Sequence, residues 1–563
     1  MQITQRTLKN LAIFTVLNNF LNILNPVRHR LLYIPMALLF ALSFVDCAKR
    51  GSPSGGERDS LPPVIVRSVP ENYTTNFEGD EIRIYFDEYI KLVDVQTNLI
   101  VSPPLEYQPI ITPLNTSKQL RVKILDTLRE NTTYSFNFGK SIVDNNEENE
   151  FPYFKYVFST GSYIDSLRLN GAVKDALLPE AKNPVVVSLY ELNENYTDSL
   201  LFSKKPMYIT TTTDSTGTFQ FTNLKEGKYL LTALKEKTND YTFQPKTDKI
   251  GFVMDTVTLP TDTTYTLTLF KEQLDYNMTR PTHVSKNQFL FGFEGNIDSL
   301  QLEPLSSVPE GYESTMYRDA KKDTIQYWFK PAFDHEVTDS LLFLAKNRLA
   351  IDTLEVRVKD LYADSLKVSS VKSGTLTPKD TFQLQFNTPL VSIDKNLIQV
   401  MDKDSAAVEI KTQKDSVYNR AKLLFEKNTD QRYFITALPG AFTDFFEETN
   451  DTLTYNFKTK AEDDYGTIAL SLQNANDFPY IIELVNSKYE IVASTWVSEN
   501  QTVDFTFIDP GFYYIRIIFD ANENQRWDTG NFLKRIQPER IVYYPKKIEV
   551  RANWSLQETF ILK

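Results

Sequence analysis

The feature that most constrains the fold is a series of short runs in which apolar and polar residues alternate. Between residues 62 and 161 these runs occupy positions 82–87, 120–125, 133–138 and 153–158, and turn residues separate them. Alternation with a period of two predicts strands with one buried face. The chain also contains 30 tyrosines and 38 phenylalanines, which suit half-buried strands. Strands at this spacing, with no helical period between them, predict a β-sandwich.

Six short motifs follow one another in the same stretch. They are VPEN at 69–72, IYFDE at 84–88, SPP at 102–104, NTTY at 131–134, IVD at 142–144 and FSTG at 158–161. Their order resembles that of bacterial Ig-like domains of the S-layer type. The resemblance implies a seven-stranded sandwich that serves as a spacer or interaction module, and it implies no catalytic residue.

Residues 162–272 form a second predicted domain. A Gly-x-Val segment at 171–173 is followed by a DSTG turn at 214–217, and then by L-x-x-G-x-Y-x-L at 224–231. This order resembles the prealbumin-like folds of carboxypeptidase regulatory domains and collagen-adhesin B-type domains. Gly217 and Gly227 stand where a tight turn can require a positive φ.

The rest of the chain continues the strand pattern. Residues 273–362 predict a β-sandwich of unassigned type, and residues 363–460 repeat the first domain in diverged form. Residues 461–563 repeat the second domain, because IDPGFYYI at 508–515 matches the signature around Gly227. The predicted fold class is therefore all-β, a multidomain array of Ig-like and prealbumin-like β-sandwiches that follows an N-terminal signal segment.

The N-terminus predicts where the protein resides. Arg28 and Arg30 precede an apolar run at 31–45, which has the length of a signal-peptide core and is short for a membrane span. Cys47, the only cysteine of the chain, follows this run. The arrangement resembles the lipidation site of bacterial lipoproteins, with 1–46 as the signal peptide and 47–61 as a flexible tether. A short uncleaved anchor or an incidental thiol at Cys47 are the alternatives.

Charge and histidine content exclude several functions. The net charge is −12, which argues against nucleic acid as a partner and against electrostatic docking on anionic lipid. Of three histidines, His29 lies in the signal segment, while His283 and His335 are isolated. Constellations that need two or three histidines are therefore excluded, and no nucleophile triad or phosphate loop is present. These observations predict a protein that is not an enzyme.

One stretch has the spacing of a calcium loop, and its five candidate ligands alternate along the chain. They are the side chains of Asp520, Asn522, Asn524 and Asp528 and the carbonyl of Arg526. A hard cation selects oxygen ligands on a tightly curled loop. Gln525 replaces the usual glycine, and Asn531 stands in place of a bidentate glutamate. The alternative is an Asx-rich turn held by side-chain to backbone hydrogen bonds.

Aromatic side chains are candidates for stacking on sugar rings. They are Trp527, Trp554, Tyr543, Tyr544 and the pair Tyr327 and Trp328. A place in the hydrophobic core is the alternative that this composition favours.

Together these features predict a non-enzymatic, lipid-anchored envelope protein at the outer membrane. It would act as a scaffold or protein-interaction subunit, for example in an outer-membrane assembly or secretion machine, with outer-membrane or periplasmic proteins as partners. A glycan-binding lipoprotein of a polysaccharide uptake system is the alternative. Residues 48–56 are basic and glycine-rich, and the first acids are Glu57 and Asp59, which favours the periplasmic side over the cell surface.

Overall fold

The computed structural model describes residues 59–213, 216–348 and 350–562. Strands dominate this part of the chain, so the prediction of an all-β multidomain fold is confirmed. The predicted signal peptide and Cys47 lie outside the described residues, as does most of the tether.

Helices are few and short in the described residues. They are α1 (Val95–Asn98) and the 3₁₀ helices η1 (Asp198–Phe202), η2 (Lys395–Leu397) and η3 (Glu462–Asp464). None of these described helices is long and apolar enough to cross a membrane.

Residues 62–563 form one unit by their contacts and contain all the described strands. We call the predicted domains within it, in chain order, modules 1 to 5. Five hydrophobic cores each draw their buried residues from a single module. Because no disulfide is available in a chain with one cysteine, each sandwich must be stabilised by its own apolar core.

Module 1 has eight strands. They are β1 (Ile65–Val69), β2 (Glu81–Leu92), β3 (Ile100–Ser102), β4 (Ile110–Thr112), β5 (Ser117–Lys123), β6 (Thr133–Asn137), β7 (Ile142–Asp144) and β8 (Lys155–Ser159). One sheet has the order β1-β2-β5-β4 and the other β3-β6-β8, while β7 pairs with the end of β2. In β2, Ile82, Ile84 and Phe86 are buried, so the predicted alternation places one face of this strand in the core.

Module 2 also has eight strands. They are β9 (Leu167–Asp175), β10 (Val186–Glu191), β11 (Tyr208–Thr211), β12 (Thr218–Leu224), β13 (Gly227–Lys235), β14 (Lys249–Phe252), β15 (Val257–Leu259) and β16 (Thr264–Leu269). The sheets have the orders β11-β10-β13-β14 and β12-β9-β16, and β15 pairs with β13. The last strand, β16, runs parallel to the first, β9.

Module 3 has the strands β17 (Asn277–Met278), β18 (Thr282–Ser285), β19 (Gln288–Glu294), β20 (Gln301–Pro304), β21 (Glu313–Arg318), β22 (Thr324–Lys330), β23 (Ser340–Lys346) and β24 (Ile351–Arg357). Both β17 and β18 pair with β19. The path β18-β19-β22-β21 and the second sheet, β20-β23-β24, reproduce the two sheets of module 1. The sandwich that the sequence left unassigned therefore has the strand order of the Ig-like module.

Module 4 has the strands β25 (Val368–Ser370), β26 (Gly374–Thr375), β27 (Phe382–Phe386), β28 (Leu390–Ile393), β29 (Ile398–Met401), β30 (Lys411–Asp415), β31 (Arg420–Leu424), β32 (Arg432–Ala437), β33 (Phe442–Asp444) and β34 (Leu453–Lys458). Its sheets are β25-β27-β31-β30 and β26-β34-β32-β29, with β28 paired to β33. Two short strands, β27 and β28, stand in place of the long β2, β26 is an added strand parallel to β34, and the remaining order follows module 1.

Module 5 has the strands β35 (Gly466–Gln473), β36 (Tyr480–Asn486), β37 (Ile491–Val497), β38 (Val503–Ile508), β39 (Gly511–Phe519), β40 (Ile541–Tyr543), β41 (Ile548–Val550) and β42 (Ser555–Ile561). Its sheets are β37-β36-β39-β40 and β38-β35-β42, β41 pairs with β39, and β42 runs parallel to β35. Strand for strand, this is the topology of module 2.

The Gly-x-Tyr signature has the same structural basis in both of these modules. The hydroxyl of Tyr229 donates to the carbonyl of Lys225 (2.9 Å), and that of Tyr513 donates to the carbonyl of Asp509 (2.7 Å). A Cβ on Gly227 would lie 3.2 Å from the Tyr229 hydroxyl, so glycine gives the ring room to fold back. The expected positive φ is found at Gly217 (72°) but not at Gly227, for which that expectation was wrong.

Candidate functional site between modules 2 and 5

The predicted calcium loop begins with Asp520, directly after β39. This side chain is fully buried, and its Oδ1 accepts a hydrogen bond from the main-chain N–H of Asn524 (3.0 Å). Its Oδ2 accepts from the N–H of Gln525 (2.9 Å) and from the indole N–H of Trp496 (2.9 Å). Both carboxylate oxygens are thus engaged by donors of the protein, which is how a short polar side chain stabilises a turn.

The remaining candidate ligands gather around Asp528. Asn522 and Asn524 both donate side-chain N–H groups to Asp528 Oδ2, the latter at 2.7 Å, and the N–H of Arg526 donates to Asn524 Oδ1 (3.0 Å). The bond from Arg526 joins a side chain to the backbone, as the Asx-rich turn requires, and so do the two main-chain bonds to Asp520. Across the described ranges, no group of three or more His, Cys, Asp or Glu side chains could hold a metal ion. Calcium at this loop stays a prediction.

A second copy of this loop lies in module 2. Glu236, the first residue after β13, accepts at Oε2 from the N–H groups of Asp240 (3.1 Å) and Tyr241 (3.0 Å). The acceptor and its two donors are therefore four and five residues apart, as they are in the loop that begins at Asp520. In both loops the residues three and five positions after the carboxylate have positive φ. The loop conformation is thus a property of the repeated module.

This second loop was not predicted from the sequence, although an alignment of the two modules contains a signal for it. When Gly227 is aligned with Gly511, Glu236 falls on Asp520. The amino-acid sequences of the two loops look unrelated, because the loops share only the first carboxylate and the backbone conformation.

The two carboxylates predict opposite responses to amide substitution. Burial raises the pKa of Glu236 to about 7 from 4.5, and its Oε1 accepts no hydrogen bond from the described residues. The folded state therefore binds the proton of the Glu236 carboxyl group more tightly than the unfolded state does. The free energy of unfolding falls as the pH rises from about 4.5 through about 7, by at most about 3 kcal/mol. We expect Glu236→Gln to raise the melting temperature at pH 8 and to change it little at pH 4.5.

The matched control is Asp520→Asn in the second loop. Because Asp520 Oδ2 accepts two hydrogen bonds, an amide N–H in its place would face a donor and cost about 1–3 kcal/mol. Melting curves of the two variants at pH 4.5 and pH 8 test both expectations. If Glu236→Gln were equally destabilised at both pH values, the interpretation of Glu236 would be wrong.

Modules 2 and 5 share a sixth hydrophobic cluster. It covers the outer face of β13 and β14 and includes Phe532 of module 5, which is 0% exposed. The Phe532 ring packs edge-on against Phe252, with centroids 5.3 Å apart, and Arg535 stacks over it at 4.8 Å. A Cβ on Gly530 would lie 2.7 Å from the ring of Phe270, so glycine permits the close approach. The 527–537 segment is therefore an apolar anchor of module 5 on module 2.

Polar contacts surround this anchor. Module 5 donates side-chain hydrogen bonds to the region of module 2 from Arg535 to Asp198 (2.5 Å), from Gln537 to the carbonyl of Phe252 (2.9 Å) and from Thr529 to the carbonyl of Lys271 (2.6 Å). The main-chain N–H of Phe532 also donates to Glu272, and burial raises the pKa of this carboxyl above its usual value. An apolar centre with satisfied polar groups around it is typical of a specific interface.

A buried ion pair extends the contact along the outer face of module 5. Arg516 and Glu483, on neighbouring strands, are 2.5 Å apart and have side chains 8% and 9% exposed. Arg516 and Tyr543 both donate to the carbonyl of Leu177 in module 2, at 3.0 and 2.5 Å. Burial lowers the pKa of Arg516, but its bonds to Tyr543 and Glu483 outweigh burial and hold the pKa above its usual value. The charged pair is therefore part of the junction.

The other junctions join modules that are neighbours in sequence. Their contacts include Ile209 N–H to Ser102 Oγ (3.0 Å) between modules 1 and 2, Lys246 to Glu294 (2.8 Å) between modules 2 and 3, Arg318 N–H to the carbonyl of Val417 (2.8 Å) between modules 3 and 4, and Lys460 to Asp509 (2.5 Å) between modules 4 and 5. Because module 5 also contacts module 2, modules 2 to 5 form a closed circuit of contacts.

Equivalent sheet edges differ between the repeated modules. In module 2 the edge strand β11 lies against β3 of module 1, and Ile209 is only 3% exposed. In module 5 the equivalent edge strand, β37, pairs only with β36 among the described strands. It contains no charged residue, and Ile491 and Val492 are 56% and 45% exposed. An uncharged edge of this kind is a template for strand pairing.

The aromatic candidates for sugar binding are buried or half-buried, with the exception of Trp554. Tyr327, Trp328 and Tyr544 belong to the buried set, and Trp527 and Tyr543 are half-buried at the junction of modules 2 and 5. Trp554 is 48% exposed and carries Arg551 over its ring at 4.8 Å. Glycan binding stays a prediction.

The fold and its junctions define a multidomain array of β-sandwiches that includes an Ig-like module. Residues 59–160 match the family model described as a bacterial Ig-like domain. The Ig-like prediction for 62–161 is thereby confirmed, and the match assigns this family to module 1 and not to the whole chain. No curated protein matches the chain.

Several solved structures resemble the chain at low sequence identity. Domains 1–6 of the surface layer protein SbsC are 11% identical, with 87% of this chain and 67% of that chain covered and a TM-score of 0.14. The titin I-band fragment I67–I69 is 10% identical (51% and 98% covered, TM-score 0.11), and the Group B Streptococcus pullulanase SAP is 14% identical (28% and 22% covered, TM-score 0.12). Likenesses at this level say nothing about function.

Proposed function

We propose that this chain is a non-enzymatic, lipid-anchored scaffold at the outer membrane, on its periplasmic side, that holds partner proteins. The observation that carries the proposal is the contact between modules 2 and 5, which are not neighbours in sequence. Flexible tandem modules would need no such contact, whereas a scaffold that presents several surfaces in fixed relation does. The shared topology of modules 2 and 5 and their Gly-x-Tyr turns support a prealbumin-like fold for both.

The lipid anchor is tested at Cys47. We expect the native protein to partition into the membrane fraction and to show the added mass of acyl chains on its N-terminal peptide, because several chains suffice for stable anchoring. Cys47→Ala should lose both properties, while Ser52→Ala in the same tether should keep both. A native protein whose Cys47 thiol reacts freely with maleimide would contradict the anchor.

The partner surface is tested at β37. We propose that its occupant is an extended, uncharged segment of another envelope protein, which adds a strand to this edge. The support comes from module 2, where the equivalent edge is covered by strand β3. Aligned on the pairing with the neighbouring strand, Ser494 corresponds to Ile209, whose N–H donates across that junction.

A charge at this position should block strand addition without disturbing the fold, since Ser494 is exposed. At least one protein should cross-link to β37 of the native protein, and mass spectrometry of the cross-linked peptides identifies it. We expect Ser494→Lys to abolish this cross-link. Thr502→Lys, an exposed substitution outside the strand, should keep it. Equal cross-linking in both variants would exclude β37 as the partner surface.

A further inference from the structure

A cleft of about 310 Å³ lies between modules 3 and 4. Its charged lining consists of four cations, Arg318, Lys321, Lys367 and Arg420, and one carboxylate, Asp319. The whole chain carries a net charge of −12, so the cleft reverses the sign of the protein that surrounds it. A concave surface of one sign concentrates ligands of the opposite sign.

These cations have no anionic partner in the described part of the chain. None of the four forms an ion pair with a carboxylate there, although other lysines of module 4, such as Lys372 and Lys422, do. Asp319 offsets one of the four positive charges but forms no ion pair with any of these cations, and its Oδ1 accepts from the N–H groups of Lys321 (2.8 Å) and Lys322 (3.1 Å). Its Oδ2 faces the side-chain amide of Gln326 (3.4 Å). The carboxylate is therefore occupied by its own turn.

Both arginines are held in place by neighbouring groups. The guanidinium of Arg318 lies over the ring of Phe293, at 5.2 Å, and that of Arg420 lies over Tyr418, at 5.5 Å. Arg420 Nε also donates to Gln385 Oε1 (2.7 Å), which leaves its terminal N–H groups for a ligand. Stacked, half-buried guanidinium groups are pre-organised to bind oxyanions through several hydrogen bonds at once.

The walls of the cleft are fixed by the junction itself. The N–H of Arg318 donates to the carbonyl of Val417 (2.8 Å), and Trp328 packs against Phe446 with ring centroids 6.1 Å apart. Trp328 is 1% exposed, so this contact is part of the buried junction. The cations of the two modules are thus brought together before any ligand binds, which lowers the entropic cost of binding.

We propose that this cleft is a binding site for a phosphate group, either inorganic phosphate or a phosphomonoester on a small sugar. A tetrahedral dianion offers several acceptor oxygens to cations from two modules, and the volume is at the lower end of small-ligand sites. The site does not depend on the proposed anchoring or scaffold role.

The test is calorimetric titration of the full chain with inorganic phosphate and with glucose 6-phosphate, at constant ionic strength. We expect phosphate to bind, and Arg420→Gln and Arg318→Gln each to weaken binding by about tenfold or more, since each removes a charge-assisted contact. Lys379→Gln, an exposed lysine of module 4 outside the cleft, should bind phosphate like the native protein. Melting curves without phosphate check that the variants fold.

The two probes distinguish the sources of the phosphate. Tighter binding of glucose 6-phosphate supports a sugar phosphate as the ligand, and equal binding supports free phosphate. Heat changes that are absent, or the same in the native protein and Arg420→Gln, would overturn the proposal.

Discussion

Phe532→Ala is expected to release module 5 from module 2. Truncation of a fully buried phenylalanine costs about 3–5 kcal/mol, because both its apolar burial and its packing are lost. In this protein the loss falls on the junction, since Phe532 packs on Phe252 while the core of module 5 is formed by other residues. Backbone hydrogen exchange of the 529–537 segment should therefore accelerate by about two to four orders of magnitude, because the free energy of local opening falls by that amount.

Leu533 provides the matched control. It is adjacent to Phe532 and apolar, but it is 57% exposed, so Leu533→Ala should change stability by no more than about 0.5 kcal/mol. If both alanine variants exchanged at the native rate, Phe532 would not anchor the junction. Faster exchange throughout module 5 would show instead that Phe532 stabilises its own sandwich.

The second large effect is expected from Glu483→Ala. Removal of one partner from a buried ion pair leaves an uncompensated charge, which costs about 3–5 kcal/mol. Arg516 would keep its bonds to the Leu177 carbonyl and to Tyr543, but it would lose the carboxylate that now lies 2.5 Å from its guanidinium group. We expect a lower midpoint of chemical denaturation, monitored by the fluorescence of the tryptophans.

An exposed pair and a double variant separate charge burial from truncation. Glu549→Ala breaks the ion pair between Glu549 and Arg551, whose side chains are 47% and 55% exposed, and should leave the denaturation midpoint nearly unchanged because solvent screens this pair. Ser188 and Thr232 occupy the positions of module 2 that correspond to Glu483 and Arg516. The double variant Glu483→Ser with Arg516→Thr should therefore be less destabilised than Glu483→Ala, because no charge is left unpaired. A double variant as unstable as the single one would contradict this reasoning.

Much of the local structure could be predicted from the residues. Alternation at 82–87 predicts a strand with one buried face, and Ile82, Ile84 and Phe86 are indeed buried in β2. The motif order of 62–161 predicts an Ig-like domain, and the family match confirms it. These predictions succeed because strand period, turn residues and the side-chain pattern of one sandwich are all encoded within about 100 consecutive residues.

The candidate site was only partly predictable. The residues 520–528 stand out in the sequence, and the structure does bring the side chains of Asn522 and Asn524 to Asp528. The sequence alone could not reveal that the Asp520 carboxylate accepts hydrogen bonds from the N–H of Gln525 and from the indole of Trp496 on strand β37. Nor did it reveal the equivalent loop at Glu236, because shared backbone conformation leaves little trace in residue identity.

The sequence by itself determined that this chain forms strands, that they build sandwiches, and that one of these is an Ig-like module. Tertiary structure alone decided which modules touch. Phe532 and Leu533 are equivalent apolar residues in a turn-rich segment, yet one is 0% and the other 57% exposed. The reason is that Phe532 is buried by residues such as Phe252, far away in the chain, and a local pattern carries no information about such a distant partner.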